Sequence, residues 1–160
     1  MATIDDLLLR AREGVERLTV EQAWRAMRDG AVLVDIRPEF QRRQDGEIPG
    51  AVVIERVHLE WRCDPASPAR ILEAVDHNVF WIICCDEGYS SSLAANSLRQ
   101  LGLHRATDVI DGFRAWRTAG LPITHPEQPS RPRLHTGPPR QHTTVEGVDA
   151  SSGRGAGGRS

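Results

Sequence analysis

The sequence predicts an α/β domain of three layers, with a central and mostly parallel sheet flanked by helices. Four runs are interpreted as buried strands, at residues 31–36, 51–54, 79–84 and 107–110, and the run at 79–84 contains no polar alternation. Such runs are typical of strands that are covered on both faces. Segments with apolar residues at helical spacing lie between the runs, and this alternation of strands and helices indicates a layered fold with a parallel sheet.

The N-terminal part of the chain predicts two capped helices. Thr3 precedes a segment whose apolar residues share one face, so residues 1–14 are expected to form a helical extension packed on the domain. Thr19 and Gln22 have the spacing of a capping box, which begins the second helix. A short strand is expected between these helices, around residues 16–18.

Shorter elements are expected in the middle of the chain. Pro38 begins a short helix, because proline is favoured at the first helical position. A helical turn is expected around residues 57–61 and a helix at residues 69–75. Five aromatic side chains are expected in the core, and these are Phe40, Trp61, Trp81, Phe113 and Trp116.

One folded domain is expected within the 160 residues, and it spans residues 15–125. Residues 126–160 are rich in Pro, Gly and Ser and contain few large apolar side chains. Such a segment cannot bury enough surface to offset its chain entropy, so a disordered tail is predicted. The histidines of the tail have no Cys or carboxylate at ligand spacing, and no metal site is expected there.

Charge and cysteine content argue against several classes of protein. The net charge is −2 and the basic residues are all arginine, so nucleic-acid binding is not expected. No apolar run approaches the ~20 residues of a membrane span, and the start of the chain lacks the pattern of a signal peptide. The three cysteines, two of them adjacent, do not suggest a disulfide framework. We expect a monomeric protein of the cytoplasm that does not contact membranes.

The run at residues 79–84 stops at Cys85, and the chain then resumes as a helix for which Ser90, Ser91 and Ser92 are candidate N-caps. A strand, a tight loop and a helix in this order aim backbone N–H groups and the positive end of the helix at the residue that leaves the strand. A thiolate is stabilised in such a place. Cys85 is therefore the candidate nucleophile.

The neighbouring candidates also have structural interpretations. Adjacent strand residues point to opposite faces, so Cys84 belongs to the packed strand and Cys85 to the loop. Cys63 lies in an irregular segment, either as an ordinary loop cysteine or as a resolving thiol near the pocket. Asp35 and Arg37 end the first apolar run, either as a structural ion pair or as pocket residues, because ligand sites of α/β sheets collect at the carboxyl ends of strands.

Four motifs together carry a resemblance to a known family. They are VLVDIRPEFQ at residues 32–41, GEIPGAVVI at 46–54, CDEGYSS at 85–91 and DGFRAWRTAGLPI at 111–123. In this order, they make the chain resemble the rhodanese-like sulfurtransferases. The motifs are similar to the family's strand with Asp-x-Arg, its Gly-x-Ile-Pro-Gly-Ala turn, its cysteine loop and its closing Gly-Phe-x-x-Trp motif.

The resemblance implies a rhodanese-like fold and a transfer of sulfane sulfur in two steps. Cys85 would take the sulfur from a small donor or a protein persulfide, hold it as a persulfide, and pass it to a thiol acceptor such as a small thiol or a thioredoxin-like protein. No metal or organic cofactor is implied. The implied substrate-binding loop consists of Asp86, Glu87, Gly88, Tyr89, Ser90 and Ser91.

The charge of this loop departs from the family pattern. Many single-domain members carry arginine five residues after the cysteine and a basic residue directly after it, whereas this chain has Ser90 and Asp86 there, followed by Glu87. The two carboxylates are expected to disfavour a thiolate and to repel an anionic donor such as thiosulfate. Arg37 and Arg42, together with the loop amides, are expected to supply the positive potential of the pocket.

Two alternative functions arise from the same loop. A phosphatase loop needs an arginine six residues after its cysteine to clamp the phosphate, and Ser91 stands there, which argues against phosphate chemistry. The second alternative is a binding module of the same fold, which recognises a protein partner through the acidic loop and Tyr89 without transferring sulfur. The chemical state of Cys85 distinguishes this module from an enzyme.

Overall fold

A parallel sheet of four strands forms the centre of the computed structural model, which describes residues 1–126. The strands are β1 (Val32–Asp35), β2 (Val52–Val53), β3 (Trp81–Cys84) and β4 (Thr107–Asp108). They lie in the order β2, β1, β3, β4, and every pair is parallel. Val34 of β1 is the register partner of Ile83 of β3. The prediction that the strand before Cys85 lies inside the sheet is therefore confirmed.

Six α-helices accompany the sheet within residues 1–126. They are α1 (Ile4–Arg12), α2 (Val20–Arg28), α3 (Glu39–Asp45), α4 (Leu59–Cys63), α5 (Ser90–Gln100) and α6 (Gly112–Thr118), with a short 3₁₀ helix at Arg56–His58 before α4. Both predicted caps are present, because the side chains of Thr3 and Thr19 accept hydrogen bonds from the backbone N–H groups of Asp6 and Gln22, respectively.

Helices cover both faces of the sheet. Successive residues of β3 point to opposite faces, so Trp81 and Ile83 pack in one hydrophobic cluster while Ile82 and Cys84 pack in the other. The first cluster includes residues of α4 and α5, and the second includes residues of α2 and α6. The three-layer α/β fold predicted from the sequence is confirmed by this arrangement.

Three of the expected strands are absent or much shorter than predicted, and one of them is the run at residues 107–110, which forms only the two-residue strand β4. The run at residues 51–54 forms only the two-residue strand β2, which lies at the edge of the sheet with β1 as its partner. Val53 is 40% exposed, so the expectation of a strand covered on both faces is wrong there. Around residues 16–18, a single bridge joins Leu18 to Val109 in place of a strand.

The helix expected at residues 69–75 does not form. The segment is a series of turns, and the Ile71 N–H donates to the carbonyl of Arg62 at 2.9 Å instead of to a carbonyl one helical turn earlier. This bond ties the segment to the end of α4. The turns, and not a helix, therefore place the side chains of Ile71 and Ala74 in the core.

The aromatic side chains divide between the core and the surface. Trp81, Phe113 and Trp116 are buried, as expected. Phe40 is 67% exposed and Trp61 is 62% exposed, so their assignment to the core is wrong. Phe40 lies on α3, a helix with no buried residue, because this helix covers no part of either hydrophobic cluster.

The N-terminal helix α1 packs against α5. Leu8 and Ala11 are its buried residues, and the guanidinium of Arg99 on α5 donates to the Ala11 carbonyl. The predicted disordered tail lies outside the described residues, apart from Pro126. Within residues 1–126, every helix is too short or too polar to cross a membrane.

Replacement of Trp116 by alanine is expected to lower the free energy of unfolding by about 3–5 kcal/mol, because removal of a fully buried side chain leaves a cavity. The same replacement at Trp61, which is 62% exposed, is expected to change it by less than about 0.5 kcal/mol. Urea unfolding curves of the two variants measure the difference. Equal losses of stability would contradict the burial of one indole and the exposure of the other.

Candidate active site

Cys85 is the first residue after the carboxyl end of β3 and is 6% exposed. Its sulfur accepts a hydrogen bond from the Gly88 N–H, with 3.2 Å between the nitrogen and Sγ. Helix α5 begins at Ser90, directly after the loop, and the positive end of its dipole favours negative charge nearby. An N–H donor and a helix N-terminus both stabilise a thiolate relative to a thiol.

Gly88 is the residue that lets the loop turn back to the sulfur. Its φ is +83°, in the left-handed region, and a Cβ there would lie 2.6 Å from the backbone nitrogen of Asp111. A side chain at this position would be strained and would collide with the main chain. The close approach of the loop to the start of α6 therefore requires glycine.

The start of α6 holds the first residues of the loop. The Phe113 N–H donates to the Cys85 carbonyl at 2.8 Å, and the Arg114 N–H donates to the Asp86 carbonyl at 3.1 Å. Gly112 permits this contact, because a Cβ there would lie 2.3 Å from the Cys85 carbonyl oxygen. The closing motif of the sequence thus fixes the main chain of the cysteine.

A pocket of about 320 Å³ opens beside the cysteine. Its lining comprises Ile36, Arg37, Pro38, Gln41, Cys85, Asp86, Glu87, Tyr89 and Ser90. Most of the loop proposed from the sequence is present in this lining, whereas Gly88, Ser91 and Asp35 are not part of it. Ile36, Pro38 and Gln41 were not singled out from the sequence, although they flank Arg37 in the motif at residues 32–41.

Arg37 has a structural role in this site. Its guanidinium donates to Asp35 at 2.7 Å and to the Gly46 carbonyl at 2.9 Å, and it lies 3.6 Å from the centre of the Phe113 ring. The side chain is 0% exposed although the residue lines the pocket. Asp35 and Arg37 thus form a buried ion pair, and Arg37 is in addition a pocket residue, whereas Asp35 is not.

The loop carboxylates have an arginine partner to which the sequence did not point. Arg114 Nε donates to Asp86 Oδ2 at 2.9 Å, and its Nη2 lies 2.9 Å from Glu87 Oε1. These exposed pairs are individually weak, yet they offset part of the negative charge at the rim. Arg42 pairs with Glu47 and does not line the pocket.

Two of the three serines at the start of α5 point into the protein, whereas Ser90 is exposed and lines the pocket. Ser91 and Ser92 are buried, and both hydroxyls donate to Oδ2 of Asp108, at 2.7 Å and 2.8 Å. The N-cap position is Tyr89, whose side chain makes no capping hydrogen bond, so the expectation of serine caps is wrong. Asp108 lies in the run at residues 107–110, which the sequence predicts to be a buried strand. No feature of that run indicates that the Asp108 carboxylate accepts hydrogen bonds from the serines.

The other two cysteines are held as thiols. Cys84 is fully buried in β3, and burial, reinforced by the Asp35 carboxylate, raises its pKa well above the ordinary value. Cys63 is fully buried on α4, and burial, reinforced by Glu60, raises its pKa to about 12. Cys63 is therefore a core residue of a helix and not a loop cysteine, and it does not line the pocket.

The arrangement fits nucleophilic chemistry by a single thiolate, which faces the N–H of Gly88 and the N-terminus of α5. Within residues 1–126, no group of three or more His, Cys, Asp or Glu side chains is placed to hold a metal ion.

Residues 19–119 match the family model of the rhodanese-like domain. The chain belongs to the rhodanese-like family. The rhodanese-like domain comprises the whole sheet and the Cys85 loop, while α1 precedes the matched residues.

The relatives of this rhodanese-like chain include two thiosulfate sulfurtransferases named GlpE. The protein from Actinobacillus pleuropneumoniae is 33% identical over 112 residues, which cover 69% of this chain and 94% of the relative. The protein from Haemophilus influenzae is 29% identical over 108 residues, which cover 68% of this chain and 93% of the relative.

A similar solved structure is that of a Rhodopseudomonas palustris protein of unknown function, described as a possible tyrosine phosphatase. It has a TM-score of 0.69 and 33% sequence identity to this rhodanese-like chain. The likeness covers 77% of this chain and 95% of the other.

Iodoacetamide is expected to modify Cys85 alone in the folded rhodanese-like protein at neutral pH. Cys63 and Cys84 are fully buried and stay protonated, and the thiolate is the reactive form of cysteine. Fragment-ion mass spectrometry should find label at Cys85 before denaturation and at all three free cysteines afterwards. Cys85→Ser is the control, and equal labelling rates at the three sites would contradict the assignment.

Proposed function

We propose that the protein is a sulfurtransferase that carries a sulfane sulfur on Cys85 as a persulfide. The observation that carries the proposal is the placement of this thiol at the pocket, with the Gly88 N–H directed at its sulfur. The names of the thiosulfate sulfurtransferase relatives support it. The high pKa values of Cys63 and Cys84, which burial causes, leave Cys85 as the cysteine suited to the reaction.

The proposed reaction consists of two displacements at sulfur. The Cys85 thiolate attacks the sulfane sulfur of the donor, a bond forms between the two sulfurs, and the donor's own bond to that sulfur breaks as sulfite or a thiolate leaves. A deprotonated thiol acceptor then attacks the outer sulfur of the persulfide. The Cys85 thiolate leaves in this second step and is ready for another cycle.

The backbone around Cys85 suits the charged intermediate. A persulfide bound to Cys85 is an anion, and N–H groups that already point at the site stabilise it without reorganisation. Gly88 supplies one such donor at 3.2 Å from Sγ, and α5 adds the positive end of its dipole. The structural demands of the proposed step are thus met by main-chain groups.

The charge of the pocket favours a donor that is less anionic than thiosulfate. Asp86 and Glu87 line it, whereas the guanidinium of Arg37 is 0% exposed and bound to Asp35. Arg114 offsets the two carboxylates only in part, because its pairs are open to solvent. A thiol persulfide, small or protein-borne, is therefore the proposed donor, with a small thiol or a thioredoxin-like protein as acceptor in the reducing environment of the cytoplasm.

Incubation of the reduced protein with thiosulfate or glutathione persulfide is expected to add the mass of one sulfur atom at Cys85. Cyanide or dithiothreitol should remove it, because both attack the outer sulfur of a persulfide. Intact-mass spectrometry followed by fragmentation measures the change. Cys85→Ser should take up no sulfur.

Absence of added sulfur with every donor, in folded and reduced protein, would exclude the sulfurtransferase proposal. The binding module would then remain. One observation favours that second function: Tyr89 is 57% exposed at the rim of the pocket, beside the two loop carboxylates. An exposed aromatic side chain with adjacent charge is typical of residues that contact protein partners.

Neutralisation of the rim, by Asp86→Asn together with Glu87→Gln, is expected to raise kcat/KM for thiosulfate about threefold to tenfold, because repulsion between the pocket and the dianion is removed. Arg114→Gln is the matched opposite change and should lower the same constant. Steady-state kinetics at low ionic strength measure both. An unchanged constant in the double variant would show that these carboxylates do not select the donor.

Phosphate transfer, suggested by the description of the Rhodopseudomonas palustris protein, is not proposed for this chain. Ser91, which stands where a phosphatase loop carries arginine, is buried and bonded to Asp108. Among the lining residues, all within the described part of the chain, Arg37 is the only cation, and its side chain is not exposed. A phosphate group entering this pocket would meet the carboxylates of the rim instead of a guanidinium clamp.

A further inference from the structure

Two guanidinium groups converge on one carbonyl oxygen of the cysteine loop. Arg12 Nη2 and Arg17 Nη2 each donate to the Gly88 carbonyl at 2.9 Å. The N–H of the same glycine donates to Cys85 Sγ. Both backbone polar groups of Gly88 are therefore bonded: its N–H donates to the sulfur, and its carbonyl accepts from two guanidinium groups.

These contacts belong to a closed ring of hydrogen bonds. Arg12 Nε donates to the Ser92 hydroxyl at 2.9 Å, and that hydroxyl donates to Asp108 at 2.8 Å. Arg17 donates to both oxygens of the same carboxylate, at 2.8 Å and 3.0 Å, and closes the ring at Gly88. A guanidinium is a rigid planar fork, so each anchored arginine determines where its remaining donor points.

Helix α1 is attached to the domain by contacts other than the bonds to Gly88. Leu8 and Ala11 are already buried against the domain, and Arg99 already binds the Ala11 carbonyl. Arg12 and Arg17 both precede residue 19, where the match to the rhodanese-like domain begins. The two arginines therefore act on the cysteine loop from outside the matched domain, through their bonds to the Gly88 carbonyl.

Gly88 is the position of the loop at which such support has most effect. Glycine has more backbone freedom than any other residue, and this one has a φ of +83°. Rotation about its backbone would carry the N–H away from the sulfur. Charge-assisted hydrogen bonds to its carbonyl oppose that rotation, because they are shorter and stronger than neutral ones.

We propose that Arg12 and Arg17 are positioning residues of the Cys85 loop, which keep the Gly88 N–H on the sulfur and add positive charge beside it. With Asp108 as the only carboxylate in the ring, two cations and one anion leave a net charge of +1 next to the loop. The N-terminal segment is thus a functional part of the active site. The inference rests on the proposed function only in taking Cys85 as the reacting group.

The test is the pH profile of iodoacetamide alkylation at Cys85 in the full-length chain, with Arg12→Gln compared with wild type. The midpoint of the profile is expected to rise by about half to one pH unit, and the rate at neutral pH to fall about threefold to tenfold, because a donor and a charge that favour the thiolate are weakened. Arg10→Gln, at an exposed position of the same helix, is the matched control and should leave the profile unchanged.

Arg12 is the better site for the substitution, since Arg17 is paired with the buried Asp108 and its loss also weakens the fold. A second readout is the amide resonance of Gly88 in a ¹⁵N-labelled sample, which should move in Arg12→Gln and stay in place in Arg10→Gln. An alkylation profile identical to that of wild type would overturn the proposal, whatever the position of the Gly88 resonance and even if Arg12→Gln were less stable.

The outcome is independent of sulfur transfer. Alkylation needs no sulfur donor, so a protein in which Cys85 accepts no sulfur could still show the shifted profile, and only the proposed function would fail. Conversely, a persulfide at Cys85 together with an unchanged profile in Arg12→Gln would overturn the positioning role alone.

Discussion

The carboxylate of Asp108 is buried on β4, and a buried charge without partners would destabilise the fold by several kcal/mol. It is compensated by hydrogen bonds from Arg17, Ser91 and Ser92. These donors come from the N-terminal segment and from the first turn of α5. One charge therefore joins a strand, a helix and the chain that precedes the matched domain, and it fixes the end of the loop that carries Cys85.

The other end of the loop is fixed by the sheet and by α6. Cys85 follows a strand that is buried on both faces, and its carbonyl accepts the N–H of Phe113. Adjacent strand residues face opposite ways, so Cys84 is enclosed in one hydrophobic cluster while the sulfur of Cys85 reaches the pocket. Burial keeps the pKa of Cys84 high, and the two neighbouring thiols consequently differ in reactivity.

Family membership and donor choice depend on different parts of the site. The strand, the turn of Gly88 and the start of α6 are main-chain features, and they suit thiolate chemistry with any donor. In the proposed sulfur transfer, selection among donors depends on side-chain charge, and Arg114 pairs with Asp86 and Glu87 at the rim. The fold alone therefore does not decide the reaction, and the proposed choice of sulfur donor depends on the electrostatics of this particular loop.

The sequence by itself determined the α/β class, the central strand and the place of Cys85 at its end, because apolar runs, caps and loop glycines act over a few neighbouring residues. It misplaced Trp61 and did not point to Arg114 or Arg12. Arg114 lies 28 positions from Asp86, and Arg12 lies 76 from Gly88. Only the tertiary structure decides such pairings, since they depend on how helices pack on the sheet and not on any pattern within one segment.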